Sequence, residues 1–446
     1  MYIELLRYEL KLIFRHKFLK ILFVGLGLVV LLGGYNGYVR VEKQLTTIQE
    51  VKEKEEKFYT KNFQVLDSIE KKLRPNNEEW YQSPTNILAL GAFGNAGKYA
   101  ILRPSALSFF SIGQSDIYPY YSKINIFSEN AGADNQNFEN PFALAIGKFD
   151  LSFVCIFLLP LFVIAFSYNI LSSEKEYGTL VLISSMPIST LKWLFLKLSI
   201  RALLFYLLLF FWLFLAIGLF AQGISDAIPE LILVLFYISL YVLFWFGVAY
   251  TINYVGTTSA SNALALVGIW LFFVLILPSI ANLLATFFYP IPSRTLYVIE
   301  KEELESKVEK QKEKILQDFY AKNPHYEKEK NNRENWKVWY RENFALHNHQ
   351  QELQQELDTK FENYATSQRE FALGFRWLSP TILLHYHLNK SAQTDTQTYK
   401  TFQYDTQQFR QKWSAYFIDM FYADKELTTK DFADFPNYQT AKTNQK

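Results

Sequence analysis

The chain has 446 residues, of which 50% are hydrophobic and 20% are charged, and its formal net charge is +2. With this balance and no long run of basic residues, no nucleic acid partner is expected. Cys155 is the single cysteine, which excludes an intrachain disulfide and a cysteine-rich metal site.

The hydrophobic residues are concentrated in blocks that carry no charge. A helix that crosses about 30 Å of hydrocarbon needs roughly 20 apolar residues, and a helix at the surface of a soluble protein would carry charges on one face. The blocks therefore predict a mainly α, polytopic helical membrane protein with five transmembrane helices. The predicted spans are 21–40, 150–172, 195–222, 230–254 and 262–288.

Residues 1–20 alternate apolar and basic side chains, which is typical of an amphipathic helix in the membrane interface. The positive-inside rule places this helix, and so the N-terminus, in the cytoplasm of a bacterial cell with the spans in the inner membrane. The loop 173–194 then lies on the cytoplasmic side as well. Its lysines, with Lys197 and Arg201 at the start of the third span, give a modest basic excess that agrees with this orientation.

Two long regions, 41–149 and 289–446, are predicted to lie together outside the cytoplasm and to be largely helical. The first begins with a charge-rich stretch that continues span one into water. The second predicts a long antiparallel helical hairpin, because apolar residues recur at helical spacing on both sides of Pro324. These residues are Leu304, Val308, Ile315 and Phe319, then Leu353, Leu357, Phe361 and Tyr364. A solvated helix pair is preferred over a dedicated binding surface.

No catalytic, cofactor-binding or metal-ligating residues are predicted. The stretch 91–99 (GAFGNAGKY) departs from a phosphate-binding loop, because five residues separate Gly91 from Gly97 and Tyr99 follows the lysine. Of the two His-x-His pairs, the one at 347–349 lies in a helical pattern that points the rings apart, and the one at 385–387 has no third ligand nearby in sequence. The chain is therefore not expected to be an enzyme.

The most informative segment connects spans two and three. Glu174 and Glu176 end span two, and Gly178 permits a tight turn. A short apolar helix begins at Leu180, stops at Met186-Pro187, and is followed by a cap at Ser189 or Thr190 for the next helix. This short helix is either a docking element for a cytosolic partner or an ordinary interfacial connector.

The run E-K-E-x-G-T-L at 174–180, followed by S-x-P-I-S and the downstream Lys197, resembles the signature of type-2 ABC exporter permeases, the ABC-2 family. The stretch 140–180 (NPFALAIGKFDLSFVCIFLLPLFVIAFSYNILSSEKEYGTL) is similar to a subgroup that has a large extracytoplasmic insertion after the first transmembrane helix. The similarity continues at 378–380 (LSP) and 394–417.

The resemblance implies that the short helix is a coupling helix seated in a cytosolic ATPase subunit. Two copies of that subunit are expected, with ATP and Mg bound there and no cofactor in this chain. A second permease copy or a sister permease completes the assembly. The residues implied to transmit the ATPase movement are Glu174, Glu176, Gly178, Thr179, Leu180, Pro187 and Lys197.

One departure from the family concerns a sixth span, since no apolar block follows Phe288. The sixth helix is truncated, lost or supplied by another chain. The main hypothesis is a permease subunit that couples ATP hydrolysis to export or to work on the cell envelope. The alternative is a non-transporting scaffold or mechanotransmission subunit whose outer helices bind a cell-envelope protein.

Overall fold

The structure is a computed structural model that describes residues 17–76, 79, 81–92, 96–128, 149–185, 189–256, 258–324, 336–423 and 425–438, with positions 7, 11 and 15. These residues are mostly helical and contain five helices long and apolar enough to cross a membrane. The predicted mainly α, polytopic membrane fold is thereby confirmed. Most of the predicted N-terminal amphipathic helix lies outside the described residues, as does Pro187.

The elements in chain order are α1 (Lys17–Glu70), α2 (Ile87–Gly91), β1 (Lys98–Ile101), β2 (Tyr121–Ile124), α3 (Leu151–Phe153), α4 (Leu159–Ser167), α5 (Ser172–Glu176), α6 (Leu180–Ser184), α7 (Thr190–Phe220), α8 (Ile228–Val255), α9 (Ser259–Leu271), α10 (Leu277–Phe288), α11 (Arg294–Lys310), α12 (Lys312–Lys322), α13 (Trp336–Gly374), α14 (Pro380–Ala392), α15 (Thr396–Tyr422) and α16 (Thr429–Ala433). Short π-helical turns, Val154–Leu158 and Phe272–Ile276, join α3 to α4 and α9 to α10.

The spans are the first part of α1, the α3–α4 helix with α5, then α7, α8 and the α9–α10 helix. Helices in a membrane gain stability by close packing, which small residues permit. Gly27 of α1 shows this, because an added Cβ would come within 2.3 Å of the Trp212 ring of α7. Leu26, Phe205 and Trp245 are fully buried at the centre of the bundle.

Helix α1 is 54 residues long and continues without a break from the bundle of spans into the part of the structure beyond it, called here the outer region (the described residues of 41–128, 289–374 and 393–438). There its side chains bind the segment around the two-stranded antiparallel sheet, in which Lys98 pairs with Ile124. Lys98 Nζ lies 3.0 Å from Glu55 Oε1, and the Gly97 N–H donates to Tyr59 Oη at 3.1 Å. The sheet is therefore fixed to the helix by side-chain contacts.

The outer region has its own core, separate from that of the spans. Trp413 and Phe417 of α15 are fully buried there, with Phe344 of α13 and Phe435 after α16. Helices α11 and α12 pack along α13. At the far end of α1, Glu70 accepts hydrogen bonds from the backbone N–H and the hydroxyl of Thr429 at 2.8 and 2.7 Å.

Helix α14 belongs to the C-terminal region but packs along the transmembrane helix α8. The His387 ring stacks on the Tyr237 ring with centroids 3.6 Å apart. Leu384 and Leu388 are buried in the core of the spans. From sequence the whole of 289–446 is expected outside the membrane, so the position of this helix was not anticipated.

Candidate functional site

The candidate site is the loop end of the bundle, defined here as the described residues within 167–197 and 249–262, opposite the outer region. It contains six of the seven residues that the ABC-2 resemblance singles out, and Pro187 lies outside the described residues. The structure describes here two short helices, α5 and α6, with the start of α7, the end of α8 and the start of α9.

Gly178 forms the turn between α5 and α6. Its φ is 74°, in the left-handed region that glycine adopts at little cost, and its N–H donates to the Lys175 carbonyl at 3.2 Å. An added Cβ would meet nothing within 4 Å. The glycine is therefore required for the backbone conformation rather than for close packing.

Glu174 joins three parts of the loop end. Its Oε1 accepts from Lys197 Nζ of α7 at 3.0 Å, and its Oε2 accepts from the hydroxyl of Thr179. The Lys197 ammonium also lies 4.6 Å from the centre of the Trp193 ring, and its side chain is 7% exposed. This partly buried ion pair therefore connects α5 and the turn before α6 to the third span.

Glu176 is turned towards the fifth span. Its two carboxylate oxygens accept from the backbone N–H and the hydroxyl of Ser259, at 2.6 and 2.9 Å. Ser259 is the first residue of α9, where a carboxylate satisfies free N–H groups and favours the helix dipole. Lys175 Nζ donates to the Gly256 carbonyl at 2.7 Å. The end of α8 and the start of α9 are thus both connected to α5.

Two buried asparagines complete these connections. The chain leaves helical geometry between α4 and α5, which frees backbone groups there. Asn253 Nδ2 donates to the Ser167 carbonyl at 2.8 Å, and Asn253 Oδ1 accepts from the Leu171 N–H at 3.3 Å. Asn262 Nδ2 donates to the Tyr168 carbonyl at 3.1 Å. Within a bilayer such backbone groups need an internal partner, so the asparagines make the helix break possible.

Asn253, Asn262 and Ser259 were missed in the sequence. The only signal was the pair of asparagines flanking the uncharged loop between spans four and five. Gly256 belongs to the same arrangement, since an added Cβ would lie 1.6 Å from Asn262 Oδ1.

Helix α6, together with Tyr177 before it, presents one apolar edge to its surroundings. Ile183 is buried against the spans and Leu180 is partly buried there. Tyr177, Val181 and Leu182 are 82%, 70% and 67% exposed. Helix α6 is held by hydrogen bonds and lies beyond the ends of the spans. An exposed apolar edge in such a position is typical of a surface that binds another protein.

The comparisons with known proteins concern another part of the chain. A family model described as "Domain of unknown function (DUF3526)" matches residues 294–441, which run from α11 to beyond α16. No curated protein and no solved structure matches the chain. The match covers roughly a third of the chain, includes neither the five spans nor the loop end, and names no activity.

Proposed function

We propose that this protein is the membrane-spanning permease subunit of an ABC-2 type transporter, coupling ATP hydrolysis in a separate cytosolic ATPase subunit to export or to work on the cell envelope. The observation that carries the proposal is the exposed apolar edge of α6 on a loop tied to three spans. It agrees with the E-K-E-x-G-T-L motif, whose glutamates and threonine form those ties.

In this function α6 is the coupling helix. Tyr177, Val181 and Leu182 enter a groove of the ATPase subunit, and Leu180 and Ile183 hold the helix against the bundle. When the ATPase subunits close, the push on α6 reaches α7 through Glu174 and Lys197, and α9 through Glu176 and Ser259. Charge-assisted hydrogen bonds suit this role because they are short and directional.

The rest of the assembly follows from the same proposal. Two ATPase subunits bind ATP and Mg, and this chain carries no catalytic residues of its own. A second permease copy or a sister permease supplies the other half of the membrane part. The loop end faces the cytoplasm of a bacterial cell, and the outer region lies on the far side of the inner membrane.

The test is the double variant V181D/L182D, expressed in the native host, with the amount of ABC ATPase that co-purifies with the protein measured. We expect the variant to insert normally and to lose most of the ATPase recovered by affinity purification, because two apolar side chains of the proposed interface are replaced by charges. The matched control is L296D/V298D on α11, where the same residue types are both 42% exposed in the outer region. Equal ATPase recovery with V181D/L182D and with the wild type, or no ATPase in any sample, would contradict the proposal.

The alternative of a non-transporting mechanotransmission subunit is favoured by one observation, the unbroken α1 that connects the bundle to the outer core. In that function α13 binds a cell-envelope protein. Charge reversal at its exposed Glu352 and Glu356 (E352K/E356K) would then release the envelope protein while ATPase binding persists. Transport into vesicles that survives this change, without any envelope protein bound, would favour the permease.

A further inference from the structure

The chain forms a hairpin that enters the membrane zone from the outer region. The end of α13 descends beside the fifth span, where the Phe371 ring lies 5.6 Å from the Phe288 ring. A turn at Phe375–Trp377 follows, and Ser379 caps α14, which runs back along α8. Trp377 and Leu378 at the tip are 77% and 67% exposed, so they face lipid.

The depth of the tip follows from its contacts with α8. Trp377 and Phe244 line the same groove, and Phe244 lies fourteen residues after Glu230, the last charged residue before the span. At 1.5 Å per residue this is about 21 Å along the helix. The groove begins at Tyr237, seven residues after Glu230, so it extends from about 10 to 21 Å into a hydrocarbon region about 30 Å thick, and the tip lies inside the bilayer.

The hairpin leaves an apolar groove against α8. A cavity of about 300 Å³ is lined by Tyr237, Leu240, Phe244, Trp377 and Leu383 among others. It lies at membrane depth, where the neighbouring molecules are lipids. An acyl chain is therefore the natural occupant of its apolar part.

One cation, Arg376, lines this groove, and a second, Lys390, lies beside it near the same Tyr386 ring. The Arg376 guanidinium lies 5.5 Å from the Trp377 ring and 5.3 Å from the Tyr386 ring, and Lys390 Nζ lies 5.7 Å from the Tyr386 ring. Over the part of the chain that the structure describes, neither cation has an acidic partner, whereas Lys197 in the same bundle is paired with Glu174. A cation at membrane depth is costly unless an anion or water accompanies it.

Arg376, Tyr386 and Lys390 lie progressively closer to the membrane surface on the side of the outer region. Arg376 belongs to the deep turn, and its side chain reaches the Tyr386 ring, which lies further up α14. Lys390 is one helical turn beyond Tyr386 and is exposed. Long basic side chains in membranes commonly reach towards headgroups in this way.

We propose that this groove binds one glycerophospholipid with a net negative headgroup, in the leaflet on the side of the outer region. One acyl chain lies between α8 and the tip of the hairpin, and the phosphate lies against Arg376 and Lys390. The site requires only that the chain spans the membrane, so it is independent of the proposed coupling to an ATPase.

The test uses the full chain, delipidated in detergent, with lipid binding measured by native mass spectrometry. Phosphatidylglycerol, phosphatidylcholine and diacylglycerol are added separately. We expect phosphatidylglycerol to be retained best and diacylglycerol, which lacks the phosphate, to be retained at least tenfold less. For R376Q/K390Q we expect phosphatidylglycerol binding to be about thirtyfold weaker, because each basic residue near a lipid headgroup contributes about fivefold.

Two further variants separate charge from folding. R376K/K390R keeps both charges and should retain phosphatidylglycerol within a few-fold of the wild type. K322Q/K430Q removes two exposed lysines of the outer region and should leave binding unchanged. Equal retention of all three lipids by the wild type, wild-type binding by R376Q/K390Q, or equal loss in R376K/K390R would overturn the proposal. The lipid comparison on the wild type decides the matter even where a variant fails to fold.

Discussion

Replacing Glu174 by glutamine removes the charge that pairs with Lys197 but keeps the size of the side chain. The lysine side chain is 7% exposed and the glutamate side chain 23% exposed, with 3.0 Å between Nζ and Oε1. Loss of one partner from a fully buried pair costs about 3–5 kcal/mol. Because Glu174 retains some contact with solvent, we expect E174Q to lower the free energy of unfolding by about 2–3 kcal/mol.

A double-mutant cycle with K197M isolates the interaction between the two groups. We expect a coupling energy of about 2 kcal/mol, since the double variant leaves no unpaired charge. The matched comparison is the surface pair Lys71–Asp67, whose side chains are 63% and 37% exposed. Its coupling energy should be below about 0.5 kcal/mol.

Cys155 provides the assay. It is the single cysteine of the chain and is 1% exposed, so a fluorogenic maleimide reacts only when the bundle opens. Heating in detergent should give a Tm for E174Q about 4 °C or more below that of the wild type, from roughly 2 °C per kcal/mol. A coupling energy for Glu174–Lys197 as small as that of Lys71–Asp67 would refute the claim that this pair holds α5 to α7.

Two more predictions concern packing and pH. Gly37→Ala should lower the free energy of unfolding by about 1–3 kcal/mol, because the added Cβ would lie 1.9 Å from the Phe109 carbonyl oxygen. The control Gly218→Ala, where an added Cβ meets nothing within 4 Å, should be neutral or slightly stabilising. Equal effects of the two substitutions would contradict the reasoning. Burial alone would raise the pKa of Asp431, but hydrogen bonds, with Lys425 the main donor, outweigh it and hold the pKa below its ordinary value. Its stabilisation is therefore complete above about pH 4 and lost as the pH falls further. Asp431→Asn should thus cost about 1 kcal/mol at pH 7 and less at pH 3 by thermal unfolding, and an unchanged cost would count against the ion pair.

The spans were predictable because their signal is local. Each block of about 20 uncharged residues must be a membrane helix whatever surrounds it. The turn at Gly178 was predictable for the same reason, because glycine favours the left-handed backbone conformation that such a turn needs. The continuation of α1 into the outer region also follows from an unbroken helical pattern of charges.

The hydrogen-bond partners within the candidate site were harder to predict from the sequence. The motif suggested that Glu174, Glu176 and Lys197 act together, yet Glu176 binds Ser259, 83 residues away, and nothing local to either residue indicates this. Nothing in the sequence around Asn253 and Asn262 indicates a special role. Their importance is visible only in the structure, where their side chains donate to backbone carbonyls. Helix α14 escaped prediction because thirteen mixed residues do not resemble a span, while its position depends on aromatic contacts with α8.

The unbroken α1 has a mechanical consequence. At 1.5 Å per residue its 54 residues measure about 80 Å, and about 45 Å of this length lies beyond residue 40. A continuous helix of this length can transmit a tilt of the spans to its far end. A tilt of only about 5° within the bundle would displace the far end, where Glu70 binds Thr429, by about 4 Å. Small rearrangements among the spans would therefore move the far end of α1 by a distance comparable to the length of a hydrogen bond.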